Sequence, residues 1–104
     1  MTAAANPDVR YIILHKPGPA WQLGIDFMEQ PGVREHVEHY GAMHTRGLLE
    51  MGGPYLTPDG GGMMIQASGI SEEEIRRIAE ADPAVRRGLL QVEVRPWYVA
   101  MKTA

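Results

Sequence analysis

The 104-residue sequence contains no cysteine. This absence excludes a disulfide scaffold, a thiolate nucleophile and any zinc or iron–sulfur site built on cysteine. No apolar run approaches the roughly 20 residues of a membrane span, and no signal peptide is visible at the start. The chain has ten Lys and Arg residues and thirteen Asp and Glu residues, which gives a formal charge of −3. Because the basic residues form no patch, we do not expect nucleic acid to be a partner. The missing membrane span and signal peptide lead us to expect a cytoplasmic protein that does not bind membranes.

Several nucleotide and hydrolase motifs are absent as well. The glycine-rich stretches at 51–54 and 59–62 lack a following Gly-Lys-Ser/Thr and do not open a helix, so they predict no phosphate loop and no dinucleotide fingerprint. The only two serines, Ser68 and Ser71, are not in a Gly-x-Ser-x-Gly elbow, which makes serine hydrolysis a poor interpretation.

The composition is that of an ordinary globular chain, with 44% hydrophobic and 22% charged residues. The length fits a single domain over residues 1–104. Small and polar residues at 1–8 predict a flexible N-terminus. Residues 16–32 predict a long loop, and loops of that length are usually functional or disordered. The aromatic side chains of Trp21 and Phe27 indicate that this loop packs over something.

The first half of the chain predicts a strand, a helix and a hairpin. Residues 9–14 are β-branched and aromatic, as in a buried strand, and His15 closes the run. Apolar positions spaced i, i+4 and i+7 predict a helix over residues 31–51. The segments 48–54 and 63–67 flank a strong turn signal and therefore predict a hairpin.

The second half predicts a helix and a final strand. Ser71 and Glu74 form a capping box that begins a helix. Asp82 is placed to cap a further turn at Pro83, and residues 90–95 alternate as a strand. The order β-α-β-β-α-β is that of an α+β ferredoxin-like sandwich, a four-stranded antiparallel sheet with two helices on one face. The other face carries apolar side chains from the first and last strands, and a second copy would cover it.

The candidate chemistry lies on the first helix. His36, Tyr40 and His44 recur every four residues and line one stripe, with His39 on a different, solvated side. A zinc site is not expected, because the stretch is not His-Glu-x-x-His and His36 and His44 are roughly 12 Å apart along the axis.

Asp82 is the second candidate. If the two helices pack side by side, its carboxylate can approach His36, fix the tautomer of the ring and raise its basicity. The alternative is that Asp82 only caps its turn and His36 is a structural, hydrogen-bonded histidine. The spacing alone does not decide between these interpretations.

The sequence also carries features of a known family. His36 stands eleven residues before Gly47, and three segments follow with matching spacing: Gly47-Leu48-Leu49 leading to Gly53-Pro54, Ala81-Asp82-Pro83, and Val92 to Trp97. Over nearly its whole length, to Met101, the chain resembles the YCII-related (YciI-like) family. The long loop at 16–32 resembles that of a subgroup.

This resemblance implies a fold and a site. It implies a dimeric α/β barrel, in which the sheets of a homodimer face each other. It also implies a histidine–aspartate pair in a cleft, carried over to His36 and Asp82. Some family members are linked to the breakdown of aromatic compounds.

The resulting hypothesis is a cofactor-free isomerase or lyase that moves a proton on a small cyclic or carbonyl-containing molecule. His36 is the general base and Asp82 orients it. Six further residues are expected to line the substrate pocket: His15, Trp21, Tyr40, Met43, His44 and Met63. One alternative is a small-molecule binding or accessory protein without turnover. Another is a catalytically silent dimerisation module, which would have no cleft.

Overall fold

Four antiparallel strands form one sheet in the computed structural model, which describes residues 7–103. The strands are β1 (Val9–Pro17), β2 (Leu49–Pro54), β3 (Gly62–Gln66) and β4 (Leu90–Tyr98), in the order β2-β3-β1-β4. The two central strands, β3 and β1, pair with each other as well as with the edge strands. This arrangement confirms the α+β ferredoxin-like fold.

In the part of the chain that the structure describes, three helices and a short 3-10 turn complete the fold. They are α1 (Val33–Thr45), α2 (Glu72–Glu80), α3 (Pro83–Arg86) and the turn Phe27–Glu29. Ser71 caps α2 as expected, since its hydroxyl accepts the Glu74 N–H at 3.2 Å. The Glu74 carboxylate does not complete the capping box, because it pairs instead with Arg77 at 2.7 Å.

The first helix is shorter than the periodicity predicted, and its expected extent to residue 51 was wrong. It ends at Thr45, because Gly47 takes a left-handed conformation with φ +78°. The Gly47 N–H then binds the His44 carbonyl, and the Leu48 N–H binds the Met43 carbonyl. These two bonds form a Schellman motif, which terminates helices at glycine.

The first strand is longer than predicted. Residues 16 and 17 continue it and pair with Gln91 and Leu90 of β4. On the other side, pairing with β3 stops at His15 and Gly62. Pro17 therefore has a neighbouring strand on only one side. Proline tolerates such a position because it has no N–H group to donate to a second strand.

Side chains of β1 alternate between the two faces of the sheet. Ile13 is fully buried and faces the helices. The main core lies between this face and the helices and contains Ile13, Tyr40, Leu49, Met64, Ile75, Ile78 and Ala79. The residues from α1 and α2 in this cluster hold both helices against the same sheet face.

A second cluster fixes the loop at 16–32. Trp21 and Phe27 pack against it, and its buried members are Val33, Ala84, Leu89 and Leu90. Gln30 is 2% exposed, and its amide binds the backbone of Gln22 and Ile25. The loop is therefore packed, as its aromatic residues indicated.

Within residues 7–103, no helix lies on the opposite face of the sheet. Its apolar side chains are half-buried and come from β1 and β3: Ile12, Leu14, Met63 and Ile65. As expected, the last strand also supplies an apolar side chain here: Trp97, which is 39% exposed and pairs with Arg10 of β1 on the same face as Ile12 and Leu14. Val92 and Val94 of β4 pack into the core, so Glu93 between them and Arg95 after them turn charged side chains to the open face.

The chain ends are only partly covered by the structure. Of the predicted flexible segment 1–8, residues 1–6 lie outside the described residues. Asp8 is bound by Arg10 at 3.1 Å and by Lys102 at 2.8 Å. Among residues 7–103, no helix has the length and apolar character needed to cross a membrane.

Candidate functional site

His36 and Asp82 are in direct contact. His36 lies in the second turn of α1 and is 4% exposed, and Asp82 precedes α3 and is fully buried. The Nδ1–H of His36 donates to Oδ2 of Asp82 at 2.7 Å. The other oxygen, Oδ1, accepts the Ala84 N–H at 2.9 Å and caps α3. Asp82 therefore both caps its helix and holds the histidine.

The environment keeps Asp82 ionised. Burial acts to raise the pKa of this carboxyl, but the hydrogen bond and charge of His36 and the Ala84 N–H outweigh it, so the pKa of Asp82 lies below its usual value. An ionised carboxylate at 2.7 Å requires a proton on Nδ1 of His36. The free position of the ring is then Nε2, which is the atom available for chemistry.

His15 adds a second histidine from β1. Its Nε2 lies 3.7 Å from Oδ2 of Asp82, which is longer than a hydrogen bond. Burial and the nearby charge of His36 lower the pKa of His15 to about 4, although Asp82 opposes the shift. His15 is therefore neutral at pH 7. Among the described residues, its buried Nε2 has no hydrogen-bond partner.

Tyr40 follows His36 by one helical turn. Its ring centroid lies 5.3 Å from that of His36 and 5.6 Å from that of His15, in edge-to-face contacts. Burial, and then the charge of Asp82, raise the pKa of Tyr40, so the hydroxyl stays protonated. This hydroxyl is also buried without a hydrogen-bond partner in the part of the chain that the structure describes.

A cleft of about 630 Å³ opens beside these residues, between α1 and the β2–β3 hairpin. His15, His36, Tyr40 and His44 form part of its wall. The apolar part of the wall consists of Phe27, Met28, Val37, Leu49, Met51, Pro54 and Met64. Such a pocket, mostly apolar with a few convergent polar groups, is typical of a small-molecule site.

Three of the residues expected at the pocket lie elsewhere. Met43 packs against the main core and does not line the cleft. Met63 faces the open side of the sheet, because its neighbour Met64 takes the inward position. Trp21 packs against Phe27 and the second core cluster.

Other residues at or near the cleft were not among those expected to line it. Phe27 is the nearest aromatic side chain from the loop, with its ring centroid 6.0 Å from that of His36. His39, expected in solvent, is half-buried and hydrogen-bonds the Ile78 carbonyl of α2 at 2.8 Å. Met28, Val37, Met51 and Met64 carried no signal beyond their apolar character.

One group of side chains within residues 7–103 could hold a metal ion. His15, His36 and Asp82 each offer one ligand atom, all within 4.8 Å of one another. Two imidazoles and a carboxylate are a common ligand set. An ion on Nδ1 of His36 and Oδ2 of Asp82 would first have to displace the proton that joins them. The expectation of a metal-free, cofactor-free site stays a prediction.

Comparison with known proteins identifies one family. The model of the YCII-related domain matches residues 9–98, which is most of the chain. No curated protein and no solved structure shows a match to the chain.

Proposed function

The chain belongs to the YCII-related family, and we propose that it is an enzyme that transfers a proton on a small molecule bound in the cleft. The observation that carries the proposal is the 2.7 Å bond between His36 Nδ1 and Asp82 Oδ2 in a histidine that lines the cleft. In this proposal His36 is the general base and Asp82 is its orienting partner.

The proposed step follows from the proton positions. In the neutral ring with its proton on Nδ1, Nε2 has a free lone pair and can remove a proton from a carbon next to a carbonyl group. Asp82 stabilises the imidazolium that forms. The proton then returns to another carbon, as in an isomerase. In a lyase, the electron pair of the broken C–H bond instead forms a carbon–carbon double bond, and a leaving group on the adjacent carbon departs with the electrons of its own bond.

The surroundings of the pair support such chemistry. Negative charge develops on the carbonyl oxygen when the carbon loses its proton, and neutral donors in a dry site stabilise that charge. His15 and Tyr40 are neutral and buried beside His36. No cofactor takes part in this mechanism, and a cyclic or aromatic-derived compound fits the apolar wall.

Two further properties belong to the proposal. We expect a homodimer in which two open sheet faces meet, because Ile12, Leu14, Met63 and Ile65 would otherwise remain in water. A cytoplasmic location is expected from the sequence.

Hydrogen–deuterium exchange tests the proposed function. Cyclic ketones and unsaturated lactones are incubated with the protein in D2O, and exchange at the carbon next to the carbonyl is followed by proton NMR. We expect wild-type protein to accelerate the exchange and His36→Gln to abolish the acceleration. His39→Gln is the matched control, since it changes a histidine of the same helix outside the cleft. Equal exchange with wild type and His36→Gln would contradict the proposal.

A non-catalytic binding or accessory protein is the second candidate. One observation favours it: Asp82 already stabilises α3 through Ala84, so the pair has a structural use without any reaction. Binding of these compounds without exchange of any of them would support this candidate. A silent dimerisation module would lack a cleft, and the cleft beside His36 argues against it.

A further inference from the structure

A glycine in the middle of α1 lies on the wall of the cleft. Gly41 is the ninth of the thirteen residues of this helix, and glycine in a helix interior weakens the helix relative to alanine. Its φ is not positive, so the backbone does not require glycine. A Cβ added at this position would meet no atom within 4 Å. Neither backbone conformation nor packing explains the glycine.

Two of the other three glycines of the cleft have packing reasons, and the third does not point into the cleft. A Cβ on Gly52 would collide with Sδ of Met64, and one on Gly62 would collide with the Gly53 carbonyl. Gly53 also has open space around it, but its register partner is Met63. Its missing side chain would therefore point to the open face of the sheet and away from the cleft. Gly41 is the exception among the four.

The neighbours of Gly41 show where its side chain would lie. Val37, four residues before it, and His44, three residues after it, both line the cleft. Residues at these spacings share one face of a helix. A side chain at position 41 would therefore project into the cleft, opposite the β2–β3 hairpin.

We propose that Gly41 determines the specificity of the cleft by keeping a slot open for a planar ring compound, which lies across the backbone of α1. The proposal deepens the function proposed above by naming the shape of its substrate, and it depends on that function only for the location of the site. The opposite wall also has two positions without a side chain, Gly52 and Gly62. A puckered ring of the same size is thicker than a planar one and fits such a slot less well.

Tyr40 supplies the polar contact for this ligand. Its hydroxyl has no partner among residues 7–103, it is 3% exposed, and it precedes Gly41 on the same helix. A buried hydroxyl without a partner is costly unless something accepts its hydrogen bond. The planar compound therefore carries an oxygen atom that accepts from Tyr40.

Two probes of equal size and different shape test the slot. The planar 2-naphthol and the puckered decahydro-2-naphthol are titrated into the 15N-labelled full-length protein, and amide shifts give the dissociation constants. We expect 2-naphthol to bind at least roughly tenfold more tightly and to shift the amides of residues 37–44. Gly41→Leu should weaken 2-naphthol binding roughly tenfold or more, because its side chain fills the slot. Tyr40→Phe should weaken it about fivefold, as expected for one neutral hydrogen bond.

Ala42→Leu is the matched control. Ala42 is exposed on the same helix and does not line the cleft, so this variant should bind 2-naphthol as wild type does. Equal binding of the two probes, or unchanged 2-naphthol binding in Gly41→Leu, would refute the slot.

The outcomes also separate this inference from the proposed function. If 2-naphthol binding depends on position 41 but no carbonyl compound exchanges its protons, the slot stands and the proposed enzyme function fails. If wild type exchanges protons and Gly41→Leu does so equally fast, the enzyme function stands and the slot is wrong.

Discussion

At the scale of single residues, Asp82 links the fold to the geometry of the candidate site through its two oxygens. Oδ1 holds the Ala84 N–H and Oδ2 holds Nδ1 of His36. The cap fixes the carboxylate in position, and the fixed carboxylate sets the tautomer of the histidine. Capping and orienting, which the sequence left as alternatives, are therefore parts of one arrangement.

Asp82→Asn tests that arrangement. The amide oxygen can keep the Ala84 cap, and the amide N–H group then faces Nδ1 of His36. Nδ1 must accept a hydrogen bond, so the proton moves to Nε2, which can no longer act as a base. We expect the 15N shifts of the ring to report this change of tautomer, and proton exchange to fall on the order of 10²-fold or more. Glu80→Gln, an exposed carboxylate in α2, should change neither readout.

His15 predicts a dependence of stability on pH. Its pKa falls from 6.5 to about 4 on folding, so between these values the unfolded chain binds a proton that the folded protein does not. Stability contributed by neutral His15 is therefore lost as the pH falls from 6.5 towards 4. Between pH 7 and pH 5, we expect wild type to lose about 2 kcal/mol more of its unfolding free energy than His15→Phe loses.

Urea unfolding at the two pH values measures this difference. His44→Gln, which removes an exposed histidine of the cleft, should keep the wild-type dependence. If His15→Phe loses as much stability as wild type between pH 7 and pH 5, His15 is not buried in the neutral form.

Whether the sequence alone could predict the position of a side chain depended on the residues beside it in the chain. Met63 and Met64 are adjacent and identical, so nothing in the pattern tells which one faces inward, and the pairing register decides it. His36 and Asp82 could be paired because each stands in a recognisable motif. Their 2.7 Å contact depends on tertiary packing, which spacing alone does not give.

At the scale of elements, two glycines have opposite effects on α1: one lies inside the helix and the other follows its end. The apolar periodicity predicts a helix over residues 31–51, in which Gly41 and Gly47 would both be interior residues that weaken it. The structure separates them: Gly41 is inside the helix, and Gly47 ends it at φ +78°. The apolar pattern predicts that this helix exists and which of its faces is buried. It does not predict where the helix ends, because the end depends on the left-handed conformation of Gly47.

Alanine substitutions at the two positions should therefore change stability in opposite directions. Gly41→Ala should raise the free energy of unfolding by up to about 1 kcal/mol, because alanine favours a helix interior and meets open space there. Gly47→Ala should lower it by about 1 kcal/mol, because a Cβ disfavours the left-handed conformation. Denaturant unfolding of both variants measures the two changes, and a shift in the same direction would contradict these roles.

At the scale of the whole molecule, the open face of the sheet predicts self-association. Ile12 and Leu14 of β1 lie beside Met63 and Ile65 of β3, and no element of residues 7–103 covers them. Burying this face against a second copy would remove on the order of 1,000 Å² or more from water, the size of a specific interface.

We expect wild type to sediment as a dimer at micromolar concentration. Leu14→Lys should sediment as a folded monomer, because a charge at the centre of the face opposes its burial. Ala42→Lys, a charge on the exposed side of α1, should remain dimeric. If the wild-type protein stays monomeric at this concentration, the face is open to water and the dimer prediction is wrong.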